Sequence, residues 1–229
     1  MEPVIRNFRN VHTPEGPAAR MIWLDDNPPT CTMTYSEIYP GKTSSHHIHE
    51  WEHEVYIIKG SGTLVCDGQE YPVKTGDAMF IPPNVDHYTL NNGGEGNIQR
   101  IEVNPLIAAR SGGAQNQGGK GTGQPPVIRN LSEIDQSDGP ARRIISADDG
   151  ATNYVMAFRG LDPGSNAHKH AHAGEHLGFV LEGTVILAVD GVDYPVSQGD
   201  VALVPPNSEH EWRSNSDKKA CWLVFNPLR

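Results

Sequence analysis

His47-Ile48-His49-Glu50-Trp51-Glu52-His53 sets three imidazoles within one short stretch. In an extended chain residues i and i+2 share a face, so His47 and His49 turn one way and Ile48 the other, and the next strand brings in His53. The pattern recurs. His170, His172 and His176 each lie 123 residues after a member of the first triplet, and His210 stands at the same distance from His87. Of the eleven histidines, eight therefore belong to two matching sets of four. Random placement would not keep four positions in both copies, so the sets read as two metal sites whose ligands are neutral, aimed imidazoles. His12, His46 and His168 have no histidine at that offset and read as solvated neighbours or as groups beside the ligands.

The repeat runs through the whole chain. Pro3-Val4-Ile5-Arg6-Asn7 returns as Pro126-Val127-Ile128-Arg129-Asn130, and Gly16-Pro17-Ala18 as Gly139-Pro140-Ala141. Asp67-Gly68, Tyr71-Pro72-Val73 and Gly76-Asp77 return as Asp190-Gly191, Tyr194-Pro195-Val196 and Gly199-Asp200. Asn104-Pro105-Leu106 meets Asn226-Pro227-Leu228 after one deleted residue. Between the copies, residues 111–123 hold almost no apolar side chain and abundant glycine, the composition of a flexible linker. The expected organisation is an N-terminal domain over 1–110, a linker over 111–124 and a C-terminal domain over 125–229.

Within each copy the apolar runs are short and punctuated. Val55-Tyr56-Ile57-Ile58 ends near Gly60, Thr63-Leu64-Val65-Cys66 enters the Asp67-Gly68 turn, and Ala78-Met79-Phe80-Ile81 stops at Pro82-Pro83. Aspartate–glycine between two such runs is a strong hairpin signal, and no stretch carries a helical apolar stripe. Many short strands imply a sandwich or a barrel, and a barrel removes exposed edges.

At 229 residues with 37% hydrophobic and 20% charged side chains, the chain has the composition of a globular protein with room for two cores. A net charge of −10 with no basic stripe argues against nucleic acid as a partner. No segment approaches the ~20 apolar residues of a membrane helix, and the N-terminus lacks a signal-peptide pattern, so the chain reads as cytoplasmic. Cys31, Cys66 and Cys221 are odd in number, far apart and unrepeated, which fits small core residues or free thiols rather than a disulfide framework.

The spacings resemble the two motifs of the cupin superfamily. Gly41-x5-His47-x-His49-x3-His53-x6-Gly60 is similar to the first motif, and Gly76-x5-Pro82-x-Asn84-x2-His87-x3-Asn91 to the second. The second half repeats them as Gly164-x5-His170-x-His172-x3-His176-x6-Gly183 and Gly199-x5-Pro205-x-Asn207-x2-His210. The resemblance covers both halves and implies a bicupin, an all-β chain of tandem double-stranded β-helix (jelly-roll) barrels about a pseudo-two-fold axis. Most cupins carry glutamate where His53 and His176 stand, so the likeness is to the all-histidine subgroup, in which Glu52-His53-Glu54 is also familiar. Asn84 and Asn207 replace a motif glycine, a mild change because asparagine tolerates the left-handed conformation.

Four neutral ligands leave the +2 charge of a divalent ion uncancelled, which favours anionic substrates or enolates. The expected cofactor is one divalent transition metal per barrel, with imidazole suiting iron, zinc, copper and nickel, and manganese implied by the resemblance. The metal ligands are thus His47, His49, His53, His87, His170, His172, His176 and His210, with no organic cofactor and no catalytic residue assigned. Glu52, Glu54 and Glu175, like Asp86 and Glu209, read as solvated or supporting groups, and Trp51 as packing or a pocket mouth. The leading expectation is a metal-dependent enzyme, an oxidoreductase of dioxygenase type, acting on a small oxygenated or carbonyl-containing organic acid. One alternative is a non-redox isomerase, decarboxylase or cyclase using the metal as Lewis acid, and another is a non-catalytic, metal-stabilised binding protein. The expected partner is a small-molecule substrate, with no membrane, and a homodimer beyond the internal pseudo-dimer is left open. Ala171 and Ala173-Gly174 stand where the first copy has Ile48 and Glu50-Trp51, so the two pocket mouths are expected to differ.

Overall fold

The computed structural model describes residues 2–12, 18–111 and 121–228. Among them the first copy forms strands β1 (Val4–Asn7), β2 (Ala19–Ile22), β3 (Cys31–Ile38), β4 (His53–Lys59), β5 (Ser61–Cys66), β6 (Gln69–Lys74), β7 (Asp77–Ile81), β8 (His87–Leu90) and β9 (Ile98–Pro105). The second copy repeats them as β10 (Val127–Asn130), β11 (Arg142–Ile145), β12 (Tyr154–Leu161), β13 (His176–Glu182), β14 (Thr184–Val189), β15 (Val192–Ser197), β16 (Asp200–Val204), β17 (His210–Ser214) and β18 (Ala220–Pro227). Two short helices, α1 (Phe8–Val11) and α2 (Leu106–Arg110), complete the regular structure together with single 3-10 turns. The all-β jelly-roll expectation holds. Each half pairs a six-stranded sheet with a three-stranded one. Part of the expected linker, 112–120, lies outside the described residues, as does Gly16-Pro17 of the repeated triplet.

The turns form where the residue types allow them. Asp67 and Gly68 (φ 46 and 77) and Asp190 and Gly191 (φ 49 and 81) adopt left-handed conformations at hairpin tips, which suits the twist of the flanking strands. Asn84 and Asn207 take φ of 60 and 62, the conformation expected of them as glycine replacements.

Hydrogen bonding does not follow sequence order at the start of each copy. Strand β1 pairs antiparallel with β16 of the second copy, and β10 pairs with β7 of the first. The exchange is sealed by side chains, since Asn7 Nδ2 donates to Asp200 Oδ1 at 2.8 Å and Asn130 Nδ2 donates to Asp77 Oδ1 at 2.6 Å. Arg6 and Arg129 then bind back to Asp26 and Asp149 of their own copies, at 2.6 Å in both. Each first strand is therefore tied to the other copy through its asparagine and to its own copy through its arginine.

One apolar cluster accordingly spans both halves, with Phe8, Tyr35, Phe80, Tyr154, Phe158 and Phe179 among its buried members. The Tyr154 hydroxyl donates to the Val103 carbonyl at 2.6 Å across it. Two smaller clusters fill the barrels, one around Val55, Leu64 and Met79 and one around Leu187, Trp212 and Trp222. The three cysteines are buried and free.

Candidate metal centres

His47 and His49 lie on an extended segment rather than in a continuous strand, and an isolated bridge fixes it. His47 N donates to His87 O at 3.2 Å, His87 N donates back to His47 O at 2.9 Å, and Asn84 N donates to His49 O at 2.7 Å. His53 opens β4 and His87 opens β8, so the four rings enter one barrel from two sides. The second copy repeats this through His170–His210 bonds of 3.0 and 2.8 Å and Asn207 N to His172 O at 2.8 Å. Within each set one ring nitrogen per histidine lies within 4.8 Å of all the others. All eight predicted ligands are thus brought together in two groups.

The imidazoles are oriented as well as gathered. The Nδ1–H groups of His49 and His87 donate to the carbonyls of Trp51 and Val85 at 2.7 and 2.8 Å. Those of His170, His172 and His210 donate to His168, Gly174 and Ser208 at 2.7, 2.7 and 2.9 Å. A proton held on Nδ1 leaves the Nε2 lone pair free, and a carbonyl partner fixes the ring plane. The Nε2 atoms of His87 and His210 and both ring nitrogens of His176 are buried with no partner. The Nε2 atoms of His49 and His53 approach to 2.6 Å, two lone-pair positions aimed at nearly one point. Burial, then mutual repulsion, holds His47, His49 and His87 down to about 4, 3 and 2 and pushes His176 and His210 down as well, whereas His53 is lowered by burial and by Arg100 against the pull of Glu102. Neutral, inward and unsatisfied nitrogens are the donor set a borderline transition-metal ion requires.

The remaining histidines join neither group of four, although His168 lines the second cavity beside His170. His46 is exposed and bonds Asp86 at 2.8 Å, His168 lends its carbonyl to His170, and His12 is not solvated but wedged between Tyr35 and Glu37.

Of the acidic neighbours expected to be solvated or supporting, Asp86 and Glu209 are solvated, whereas Glu52, Glu54 and Glu175 are buried. Glu52 and Glu175 are buried and reach across to the opposite half, where Glu52 accepts from Thr152 and Asn153 and Glu175 accepts from Thr30. Glu54 turns away from the ligands, as strand alternation requires, yet enters the core between the halves rather than solvent, and both its oxygens are unpaired. Burial, then repulsion from Glu52 and Asp149, pushes its pKa well above the ordinary value. Unfolding thus releases a proton once the pH exceeds the unfolded-state pKa, and stability falls as pH rises from there. Glu54→Leu, which copies Leu177 of the second half, is expected to stabilise the protein by about 1–3 kcal/mol at pH 7 and by less near pH 4. Thermal melts of both proteins across that range test this, and a difference independent of pH would contradict it.

Three groups were not signalled by the histidine pattern. Glu102 Oε1 lies 3.6 Å from His53 Nδ1 and Oε2 lies 3.3 Å from Arg100. Although burial opposes its ionisation, His53, Arg100 and an Asn104 hydrogen bond hold Glu102 well below the usual carboxylate range. The second centre has Val224 at that strand position and carries Arg159 and a stacked Trp212–Trp222 pair, with ring centroids 4.7 Å apart, in its cavity wall. The exchange of Glu102 for Val224 is exposed only by the register after the one-residue deletion. The mouths differ as Trp51 and Gly174 anticipate. Trp51 stacks on His49 at 4.2 Å beside a cavity of about 190 Å³, whereas the second cavity measures about 480 Å³.

The family model described as "Cupin domain" matches residues 34–102 and again 157–226, more than half of the chain. The chain belongs to the cupin family. Two matched copies make it a bicupin, and its centres are of the four-histidine kind. The 5-nitrosalicylic acid 1,2-dioxygenase of a Bradyrhizobium species is 32% identical over 68 residues, 30% of this chain and 33% of that enzyme. The bicupin spans between about a third and just over half of the length of such curated relatives. Among solved structures, Bacillus subtilis oxalate decarboxylase, known for its Mn(II) centres, superposes with a TM-score of 0.74 at 16% identity over 97% of this chain and 76% of that one. Salicylate 1,2-dioxygenase from Pseudoaminobacter salicylatoxidans, bound to gentisate, gives 0.75 at 13% identity over 98% and 81%. At such identity the structures speak for the fold. No helix of the described residues is long and apolar enough to cross a membrane.

Proposed function

We propose that this bicupin is a metal-dependent enzyme acting on a small oxygenated or carbonyl-containing organic acid, and that the reaction is a dioxygenation. The observation that carries the reading is the pair of four-histidine groups with buried, unpartnered ring nitrogens at the base of open cavities. His47, His49, His53 and His87 would hold one ion, and His170, His172, His176 and His210 the other, each repeat, 1–110 and 125–229, carrying one centre across the 111–124 linker. When bound, an iron or manganese ion supplies Lewis acidity and a place for dioxygen beside the substrate. The chain itself orients: the carbonyls of Trp51, Val85, His168, Gly174 and Ser208 lock the rings, and the apolar walls exclude water from the bound acid. Similarity to a nitrosalicylate dioxygenase supports the redox choice.

The second reading is non-redox decarboxylation or isomerisation. It is favoured by Glu102, an ionised carboxylate in the wall of the first cavity that could accept a substrate proton. The three buried thiols and the acidic charge support a cytoplasmic protein whose partner is a small molecule.

Elemental analysis of protein purified without added metal or a histidine tag is expected to find close to two transition-metal ions per chain. Turnover of an aromatic or keto acid should then stop without oxygen. Unchanged anaerobic turnover transfers the proposal to the second reading, and absence of metal overturns both.

A further inference from the structure

The two cavities handle charge in opposite ways, and the difference lies in one cross-strand pair. Ser36 of β3 faces Arg100 of β9 in the first barrel, whereas in the second Arg159 of β12 faces Trp222 of β18. Each barrel therefore owns one guanidinium at this pair, carried by opposite strands. Arg100 is satisfied, with Nε donating to Ser36 Oγ at 3.1 Å and Nη2 lying 3.3 Å from Glu102. Two residues beyond Trp222 stands Val224, where the first barrel has Glu102 two residues beyond Arg100. Arg159 consequently makes no ion pair among the described residues, its Nε is buried without an acceptor, and Asp138 acts on it only at a distance.

Arg159 lines the same cavity as His170, His172 and His176, and no aspartate or glutamate shares that lining. Ala167, Trp212, Trp222, Val224 and Pro227 give the walls an apolar surface with flat aromatic faces, and His168 and Asn226 add neutral polar groups to the lining. The indole nitrogens of both tryptophans are also buried without an acceptor. Arg159 is half-buried, and its buried Nε, left without an acceptor at an apolar wall, is costly unless a ligand brings the missing acceptor, for which a carboxylate matches a guanidinium best. A small, wholly polar dicarboxylate would leave those walls unfilled, whereas a ring carrying one carboxylate fills them.

We infer that Arg159 is the carboxylate anchor of the C-terminal cavity and that this barrel takes a compact aromatic monocarboxylate. Its carboxylate sits on the guanidinium and its ring lies against Trp222 and Val224. The N-terminal cavity is smaller and already contains Glu102, so it repels the same ligand. The inference deepens the functional reading and depends on it for the reaction, while the binding event is separable.

Isothermal titration of the full chain with benzoate, benzamide and oxalate, in metal-loaded and metal-free forms, tests this. Benzoate should bind, with benzamide and oxalate at least about 10-fold weaker. Arg159→Gln should weaken benzoate about 10–100-fold and leave benzamide unchanged, and Arg159→Lys should restore part of the loss because the point charge remains. Near-UV circular dichroism confirms that both variants keep the wild-type fold. Undetectable benzoate binding by the wild type, equal affinity for benzamide, or an Arg159→Gln affinity within about twofold of wild type would overturn the inference. Metal present with Arg159-independent binding sinks this inference alone. Arg159-dependent binding in a chain that takes up no metal sinks the enzymatic reading and leaves the anchor standing.

Discussion

His176→Ala is expected to remove one metal ion per chain and to lower turnover by more than about 100-fold. His176 enters from the first residue of β13, at the floor of the larger cavity, and both its ring nitrogens are buried without a protein partner. Nothing else nearby can take its place: Val224 occupies the position of Glu102, and the other three ligands are already placed by backbone bonds. Changes to residues that merely support a ligand commonly cost 10–100-fold, so loss of a ligand itself exceeds that. Metal content and steady-state kinetics on the same preparation check the claim. Retention of full metal with lost activity would make His176 a substrate contact, and loss of metal with full activity would move catalysis out of this barrel.

Glu52→Ala should destabilise the protein by about 3–5 kcal/mol, a fall in melting temperature on the order of 10 °C. The Glu52 carboxylate is buried beside His53 and accepts from Thr152 N at 3.1 and 3.0 Å, Thr152 Oγ1 at 2.8 Å and Asn153 N at 2.9 Å. Truncation leaves two backbone donors of the other half without an acceptor, which costs more than the bonds contribute when made. The symmetry-related latch is weaker. Glu175 accepts from Thr30 N at 3.0 Å and from its hydroxyl, because Pro29 stands where the second half has Thr152 and has no N–H to give. Glu175→Ala should therefore cost about half as much. Denaturant unfolding of both variants decides it, and a loss below about 1 kcal/mol for Glu52→Ala would show that water replaces the carboxylate.

The repeat spacing carried the two sets of four histidines, and its resemblance to the cupin motifs carried the two-barrel fold, since histidines at i, i+2 and i+6 with a fourth past a Gly-Asp and Pro-Asn pair are local patterns that the chain states twice. Turn residues did the same for the hairpins, because Asp67-Gly68 and Asn84 take left-handed conformations for reasons intrinsic to those side chains. The acidic residues beside the ligands were legible only by halves. Alternation turned Glu54 from the metal, but whether it then met water or a core depended on what packed behind β4, and what packs there is the other half of the chain. The strand exchange was hidden for a related reason: Val4-Ile5-Arg6-Asn7 and its copy fit either sheet equally well, so the sequence of one strand cannot name its neighbour.

What the sequence by itself determined, then, was the set of local devices: ligand spacing, turn chemistry, the strand period and the duplication. What only the tertiary structure decided was everything that depends on a distant partner. Glu102 beside His53, the unpaired Arg159 in an apolar cavity and the carboxylate latches between halves all arise from residues far apart in the chain. Their energies come from burial and from the charge or donor brought opposite them, quantities that no run of neighbouring residues contains.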